Sequence, residues 1–202
     1  MSHFLARCKP LGGAVFASLA GAAAVLAGTA VTAAAQPPEE LAPFFAITEV
    51  RAGAFATNLE NSKEDKADYL INGEILFSQP ARRYSNSFWD VFLRPRPHIG
   101  FSVTPQDDGV NQLYAGLTWE YRLTNWAFLE SSFGGAVHDG STAGNDTNSY
   151  GCTLNFRESA SVGFDLSERW RLLVTVDHMS NAGLCDQNQG LTNAGVRLGY
   201  RW

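Results

Sequence analysis

His178 and Ser180 are separated by one residue, in a segment whose apolar and polar residues alternate from Leu172 onward. In an extended strand, alternate side chains leave the same face, so the imidazole and the hydroxyl stand side by side. A serine hydroxyl is a weak nucleophile until a neighbouring base takes its proton. Side by side, the two groups can perform acyl transfer by the logic of a serine hydrolase. Leu172, Val174 and Val176 share the face, so the pair is expected to look outward into an apolar phase. Singly, a histidine at a strand end reads as an interfacial side chain and a serine beside a loop as a turn former. Together, on a face where polar groups are costly, they read as functional.

The rest of the chain supplies the strands to hold this pair. Leu113, Ala115, Leu117, Trp119, Tyr121 and Leu123 alternate with Tyr114, Gly116, Thr118, Glu120 and Arg122, a period of two rather than 3.6. Similar alternation occurs near 46 to 57, 69 to 78, 97 to 104, 112 to 123, 126 to 138, 150 to 165, 169 to 180 and 191 to 202, which predicts eight strands. Several reach the roughly nine to eleven residues that a tilted strand needs to cross a bilayer, longer than the usual five or six of soluble sheets. Tight turns at Leu123-Thr124-Asn125 and Leu166-Ser167-Glu168 alternate with longer polar segments at 58 to 68, 105 to 111, 139 to 149 and 181 to 190. Outer-membrane barrels combine short periplasmic turns with long outer loops in this way. The segment from Gln79 to Arg96 is too long for a tight turn, and its Phe88-Trp89-Asp90-Val91-Phe92 centre predicts a short interfacial helix.

Opposite the apolar face lie Glu49, Arg51, Asn72, Glu74, Glu120, Arg122, Glu130, Arg157, Arg197 and Arg201. These charges are nearly balanced in sign and could pair inside a narrow lumen. An eight-stranded barrel is just wide enough for side chains to fill, so no open pore is expected. Trp119, Tyr121, Trp126, Trp170, Tyr200 and Trp202 fall near turns and the terminus, where an aromatic girdle would sit. The expected fold is therefore all-β, an eight-stranded antiparallel transmembrane β-barrel. Its alternative is a soluble lipocalin-like barrel with the faces exchanged.

Arg7 and Lys9 followed by an Ala/Val/Leu-rich run, then Ala33-Ala34-Ala35, read as an export signal cleaved before Gln36. The expected division is a signal peptide at 1–35 and a barrel at 36–202, against the alternative of a retained anchor. The net charge of −5 and the scattered basic residues exclude a nucleic-acid footprint. Cys8 leaves with the signal, and Cys152 and Cys185 are expected to pair in an exported chain. No cluster has metal-ligand spacing and no cofactor motif occurs, so neither a metal nor a cofactor is expected. Gly134-Gly135 reads as a barrel bend.

The run His178-Met179-Ser180-Asn181-Ala182-Gly183, then Asn188-Gln189-Gly190 and a closing strand ending Leu198-Gly199-Tyr200-Arg201-Trp202, resembles the PagL-like lipid A deacylases, also called acyloxyacyl hydrolases. The resemblance implies an outer-membrane serine esterase that removes the 3-O-linked acyl chain of lipid A, with lipopolysaccharide of the outer leaflet as its substrate. It assigns His178 as general base, Ser180 as nucleophile and Asn181 as a neighbour helping to build the oxyanion site. The family's acid, a glutamate about twelve residues beyond the serine, is Thr192 here, which cannot supply a carboxylate. Glu158 is a replacement that no motif predicts. It shares the lipid-facing parity of the preceding strand, where a carboxylate needs compensation. Folding the hairpin about Leu166-Ser167-Glu168 brings it near Val176, diagonal to His178 and within reach of a long side chain. A disulfide between Cys152 and Cys185 would pin the loop beside Ser180. Two other functions remain open on the sequence: a non-enzymatic structural or interaction barrel, for which the missing glutamate speaks, and an esterase of the same fold acting on phospholipids.

Overall fold

The computed structural model describes residues 45–59, 68–81, 83–106, 109–143 and 149–202. The expected export signal with its Ala33-Ala34-Ala35 site lies outside the described residues. Eight strands, β1 (Ile47–Ala56), β2 (Tyr69–Phe77), β3 (Arg96–Val103), β4 (Gln112–Arg122), β5 (Ala127–His138), β6 (Leu154–Asp165), β7 (Trp170–Ser180) and β8 (Leu191–Arg201), each pair antiparallel with their neighbours. β8 returns to β1, with Val50 opposite Tyr200, and closes the barrel. Closure leaves no strand edge unpaired, which is what makes a β structure viable in a medium that cannot hydrogen-bond to it.

The two faces sort as the alternation predicts. Outward residues are mostly apolar and exposed, Ile71 at 52% and Leu154 at 64% among them, whereas Glu49, Arg51, Glu74, Glu130, Arg157, Arg171 and Arg197 are buried inside. An apolar exterior around a charged interior excludes the soluble alternative and makes this a membrane-spanning barrel. The interior charges are paired. Arg51 donates to Glu49 at 2.6 Å and to Glu74 at 3.1 Å, and grips both Glu130 oxygens at 2.6 and 2.7 Å. Arg171 reaches Glu49 at 2.9 Å, Glu120 at 2.8 Å and Asp165 at 3.1 Å, with its guanidinium 3.9 Å above the Phe128 ring centre. Glu120, Arg122 and Arg201, expected in the lumen, stand at the short-turn rim, where Arg122 and Arg201 both reach Asp165. Side chains fill the lumen, as an eight-stranded barrel requires.

The expected interfacial helix is present as α1 (Ser87–Phe92), in the β2–β3 connection. Asn86 caps it, its Oδ1 accepting from the Phe88 and Trp89 amides, and Phe88, Trp89 and Phe92 are exposed together. At the same end Trp170 packs edge-on to Tyr200 and Trp126 stacks on Phe164, forming part of the girdle.

Two expectations need correction. The sixth strand starts at Leu154, not at 150: Gly151 takes a positive φ of 77°, and a Cβ there would collide with the Gln187 carbonyl, so the chain turns before the strand begins. Gly134-Gly135 is not a bend, since β5 pairs without interruption through both residues. Gly134 lies opposite Gly116, and a Cβ on it would strike the Ala115 carbonyl oxygen, so this glycine permits close backbone approach instead.

Candidate active site

β7 carries His178 and Ser180 on its outward face, half-buried, beyond the exposed Val174 and Val176. Its two neighbours set the surroundings. Glu158 of β6 is register-paired with His178 on one side, and Thr192 of β8 is register-paired with it on the other. Thr192, His178 and Glu158 thus form one row across three adjacent strands. The directly opposed Cβ atoms in such a row are about 4.5–5.5 Å apart. The expected diagonal placement of Glu158 near Val176 is therefore corrected to a direct pairing. The hairpin turn is longer than the tight Leu166-Ser167-Glu168 reading allowed: Leu166 N–H donates to Trp170 O at 2.8 Å, and Ser167 Oγ accepts from the Arg169 and Trp170 amides. The longer turn moves the partner of Glu158 two residues along β7.

Thr192 Oγ1 is 2.8 Å from His178 Nδ1. This hydrogen bond engages Nδ1 and fixes the ring plane. Ser180 Oγ makes no hydrogen bond among the described residues. Its Cα is about 6.6 Å from that of His178 by strand rise, close enough for the two side chains to meet by rotation. Such contacts are often loose before substrate binds.

The row is braced from inside the barrel. Asp177, between His178 and the lipid-facing Val176 in sequence, points inward, where it accepts from Asn193 Nδ2 at 2.9 Å and pairs with Arg157 at 3.1 Å. These bonds tie β6, β7 and β8 together directly behind the row. Arg157 in turn lies 3.8 Å over the Tyr114 ring. Above it, Met179, Leu191, Tyr114, Ala136 and Tyr150 pack as an apolar plug. Burial alone pushes the Tyr150 phenol above the usual tyrosine range, so it stays neutral beneath the loop.

The loop after Ser180 is folded by Asn181. Its Nδ2 donates to Tyr150 O at 2.8 Å and Gln187 O at 2.6 Å, its Oδ1 accepts from Gly183 N–H at 2.9 Å, and its own N–H donates to Asn188 Oδ1 at 2.8 Å. The donors of Asn181 are engaged within the loop, so the side chain shapes the turn that follows Ser180. The same turn leaves Ala182 at a positive φ of 54° and Gly183 at 79°. An alanine in the left-handed region costs about 1–2 kcal/mol, and such strain collects at functional turns. The Ala182 N–H, two residues beyond Ser180, donates no hydrogen bond among the described residues. The sequence signal for it was the Asn-Ala-Gly run, whose glycine suits a left-handed turn.

Cys152 and Cys185 are joined as expected, with Cα atoms 5.9 Å apart. Together with Gln189 N–H on Ser149 O at 3.1 Å, the disulfide fastens the 181–190 loop to the start of β6. Among the described residues no group of His, Cys, Asp and Glu side chains could hold a metal ion. The arrangement can present a nucleophile, an oriented base, an adjacent carboxylate and a backbone amide to an ester carbonyl arriving from the lipid side.

Residues 89–201 match the profile of a family described as lipid A 3-O-deacylase (PagL). Among solved structures, the chain is similar to the crystal structure of the outer membrane enzyme PagL, with TM-score 0.56 and 18% identity, over 75% of this chain and 97% of that one. It is also similar to the N-terminal β-barrel domain of Pseudomonas aeruginosa OprF, with TM-score 0.49 and 12% identity, over 77% of this chain and 98% of that one. No curated protein sequence matches the chain.

Proposed function

The chain belongs to the lipid A 3-O-deacylase (PagL) family, and from that premise we propose that it is a serine esterase of the bacterial outer membrane that removes the 3-O-linked acyl chain from lipid A. The long-loop end, where Ser180 lies, faces outward in barrels of this kind, so the site meets the outer leaflet in which lipopolysaccharide resides. The proposal includes export through a cleaved leader at 1–35. The observation that carries it is the row Thr192–His178–Glu158 on the lipid-facing surface, with Ser180 one pleat beyond it.

The chemistry follows from that row. His178 Nε2 takes the Ser180 proton as Oγ bonds to the ester carbonyl carbon, and the carbonyl π electrons move onto its oxygen. The Ala182 N–H stabilises the resulting oxyanion, a placement that works because a preorganised donor costs no reorganisation during reaction. The tetrahedral intermediate collapses, the carbon–oxygen bond to the sugar breaks, and the imidazolium returns its proton to the leaving sugar oxygen. Water, deprotonated by His178, then cleaves the acyl-serine to a free fatty acid and regenerates Ser180. While the imidazolium exists, Glu158 supplies the compensating negative charge, and Thr192 holds the ring in plane.

The test is mass spectrometry of lipid A from cells with and without the protein. Loss of one 3-hydroxyacyl chain from the 3-position, with a matching free fatty acid, is the expected result. Unchanged lipid A alongside newly formed lysophospholipid would replace this reading with a phospholipase.

A further inference from the structure

Behind Thr192, His178 and Glu158, on the inner face of the same three strands, stand their chain neighbours Asn193, Asp177 and Arg157. All three are buried, at 0%, 2% and 2% exposure. Asp177 is bound on both sides: its Oδ1 accepts from Asn193 Nδ2 at 2.9 Å on β8, and its Oδ2 lies 3.1 Å from the Arg157 guanidinium of β6. Asn193 is engaged a second time, since its Oδ1 accepts from the Thr57 hydroxyl at 2.5 Å, just beyond the end of β1. Arg157 is steadied from β4 by the Tyr114 ring, whose centre is 3.8 Å from the guanidinium. A continuous chain of polar contacts thus runs from β1 through β8 and β7 to β6, one residue behind the row that faces the lipid.

Apolar side chains would fill these positions as well. One step nearer the outer end, Met179 and Leu191 occupy the same interior with apolar contacts. A buried ion pair adds little stability, because desolvation offsets most of its Coulomb attraction, and apolar replacements of similar size are often as stable. What directional bonds supply and apolar packing lacks is register. The site needs it. β7 ends at Ser180, where the ladder closes with Met179 opposite Leu191 and Ser180 opposite Phe156, and chain segments at the ends of elements open more readily than those at the centre. His178 therefore sits in the last rungs, where side-chain bonds do most to keep neighbouring strands level.

Resting on the esterase reading above, we propose that Asp177 is a positioning residue: with Asn193, Thr57 and Arg157 it clamps four strands from inside the barrel and so keeps Thr192, His178 and Glu158 in line on the outside. The clamp touches no substrate. It acts through the peptide links 192–193, 177–178 and 157–158, each of which joins a clamp residue to a residue of the row. The His178 ring takes its orientation from Thr192 Oγ1, 2.8 Å from Nδ1, so a shift of β8 against β7 turns the ring away from Ser180. A further contact holds the same point of β8 from the first loop, where the Leu59 N–H donates to the Thr192 carbonyl at 3.1 Å. Alignment of this kind matters at small amplitude, since a misplacement of about 1 Å costs about a hundredfold in rate.

The experiment uses the full mature protein folded in detergent, with purified lipid A as substrate. Asp177→Leu/Arg157→Met removes the clamp without leaving a buried charge unpaired, so the barrel still folds. It should lower kcat by about tenfold to a hundredfold with KM unchanged, the split expected when alignment is lost and binding is not. Asp177→Asn/Asn193→Asp reverses the central hydrogen bond, with the amide on β7 now donating to the carboxylate on β8, and should recover most of kcat. Arg96→Gln, on β3 four strands from β7 in either direction, removes one of three cations around Glu49 and should keep the wild-type kcat. The proposal is overturned by a wild-type kcat in the clamp-free variant, by an exchanged pair as slow as that variant, or by an equal loss in Arg96→Gln. Hydrogen exchange read by mass spectrometry stands apart from turnover: the His178 to Ser180 amides should exchange about tenfold faster in the clamp-free variant, with β3 unchanged. Equal exchange in that variant and wild type also overturns it. Should wild type cleave no lipid A, the esterase reading falls, and hydrogen exchange alone decides whether the inner bonds hold the row in place.

Discussion

Replacing Glu158 with Gln keeps the shape of the side chain and deletes its charge, which isolates the electrostatic part of the account. Glu158 and His178 are directly paired on neighbouring strands, with Cβ atoms about 4.5–5.5 Å apart, so a charge separation of about 5 Å is taken for the side-chain ends. At an effective dielectric of about 20 the attraction is about 3 kcal/mol, falling to about 0.8 kcal/mol if water has free access. Both groups are half-buried, so the stabilisation lies between these limits. The corresponding loss in kcat/KM is between about 4-fold and 150-fold, at about 1.36 kcal/mol per tenfold. Thr192→Val removes one hydrogen bond from the ring, worth about 0.5–1.5 kcal/mol, or about 2- to 12-fold. The assay is release of 3-hydroxy fatty acid from purified lipid A by detergent-folded protein, with the heat-induced gel shift confirming folding of each variant. Glu158→Gln should be the slower of the two. The double variant Glu158→Gln/Thr192→Glu should regain most of the lost rate, because it returns a carboxylate to the opposite side of the same ring. If Glu158→Gln runs at wild-type rate while Thr192→Val loses most of its activity, the hydroxyl is the orienting group and the replacement-acid reasoning is wrong.

Reducing or deleting the disulfide with Cys152→Ser/Cys185→Ser should lower stability by about 2–4 kcal/mol and reduce turnover more than it disturbs the barrel. Chemical denaturation and activity at matched folded fractions would separate the two effects. Arg51→Met leaves Glu49, Glu74 and Glu130 without the cation they share, so a cost of about 3–5 kcal/mol is expected in urea unfolding, with no new pore conductance in planar bilayers. The amino terminus of protein recovered from the envelope should be Gln36 by Edman degradation. A chain still beginning at Met1 would instead indicate a retained anchor.

The eight strands were legible because lipid outside and charge inside impose a strict period of two, and a one-residue slip would reverse every side chain. The sixth strand misled at its start because Tyr150 and Cys152 continue the alternation while the positive φ of Gly151 turns the chain. The pairing of Glu158 was missed by two residues for a local reason as well, since a turn closed by Leu166 on Trp170 and capped by Ser167 is longer than its sequence suggests. The lumen charges were readable as a set, but not their partners, because Arg51 and Glu130 come together only when the barrel closes. The contacts of Asn181 with Tyr150 and Gln187 were not readable, because they depend on a loop fold that spacing does not encode.

The central claim is that Ser180 and His178 cleave a lipid ester at the outer surface of the barrel. Ser180→Ala is its most direct test, because a half-buried hydroxyl at a strand end contributes little to folding, so the heat-modifiable barrel should persist. The account predicts that this variant, expressed at wild-type level in the envelope, releases no 3-hydroxy fatty acid from lipid A, and that a serine-directed phosphonate labels wild type at Ser180 but leaves the variant unlabelled. Deacylation by Ser180→Ala at the wild-type rate would contradict it.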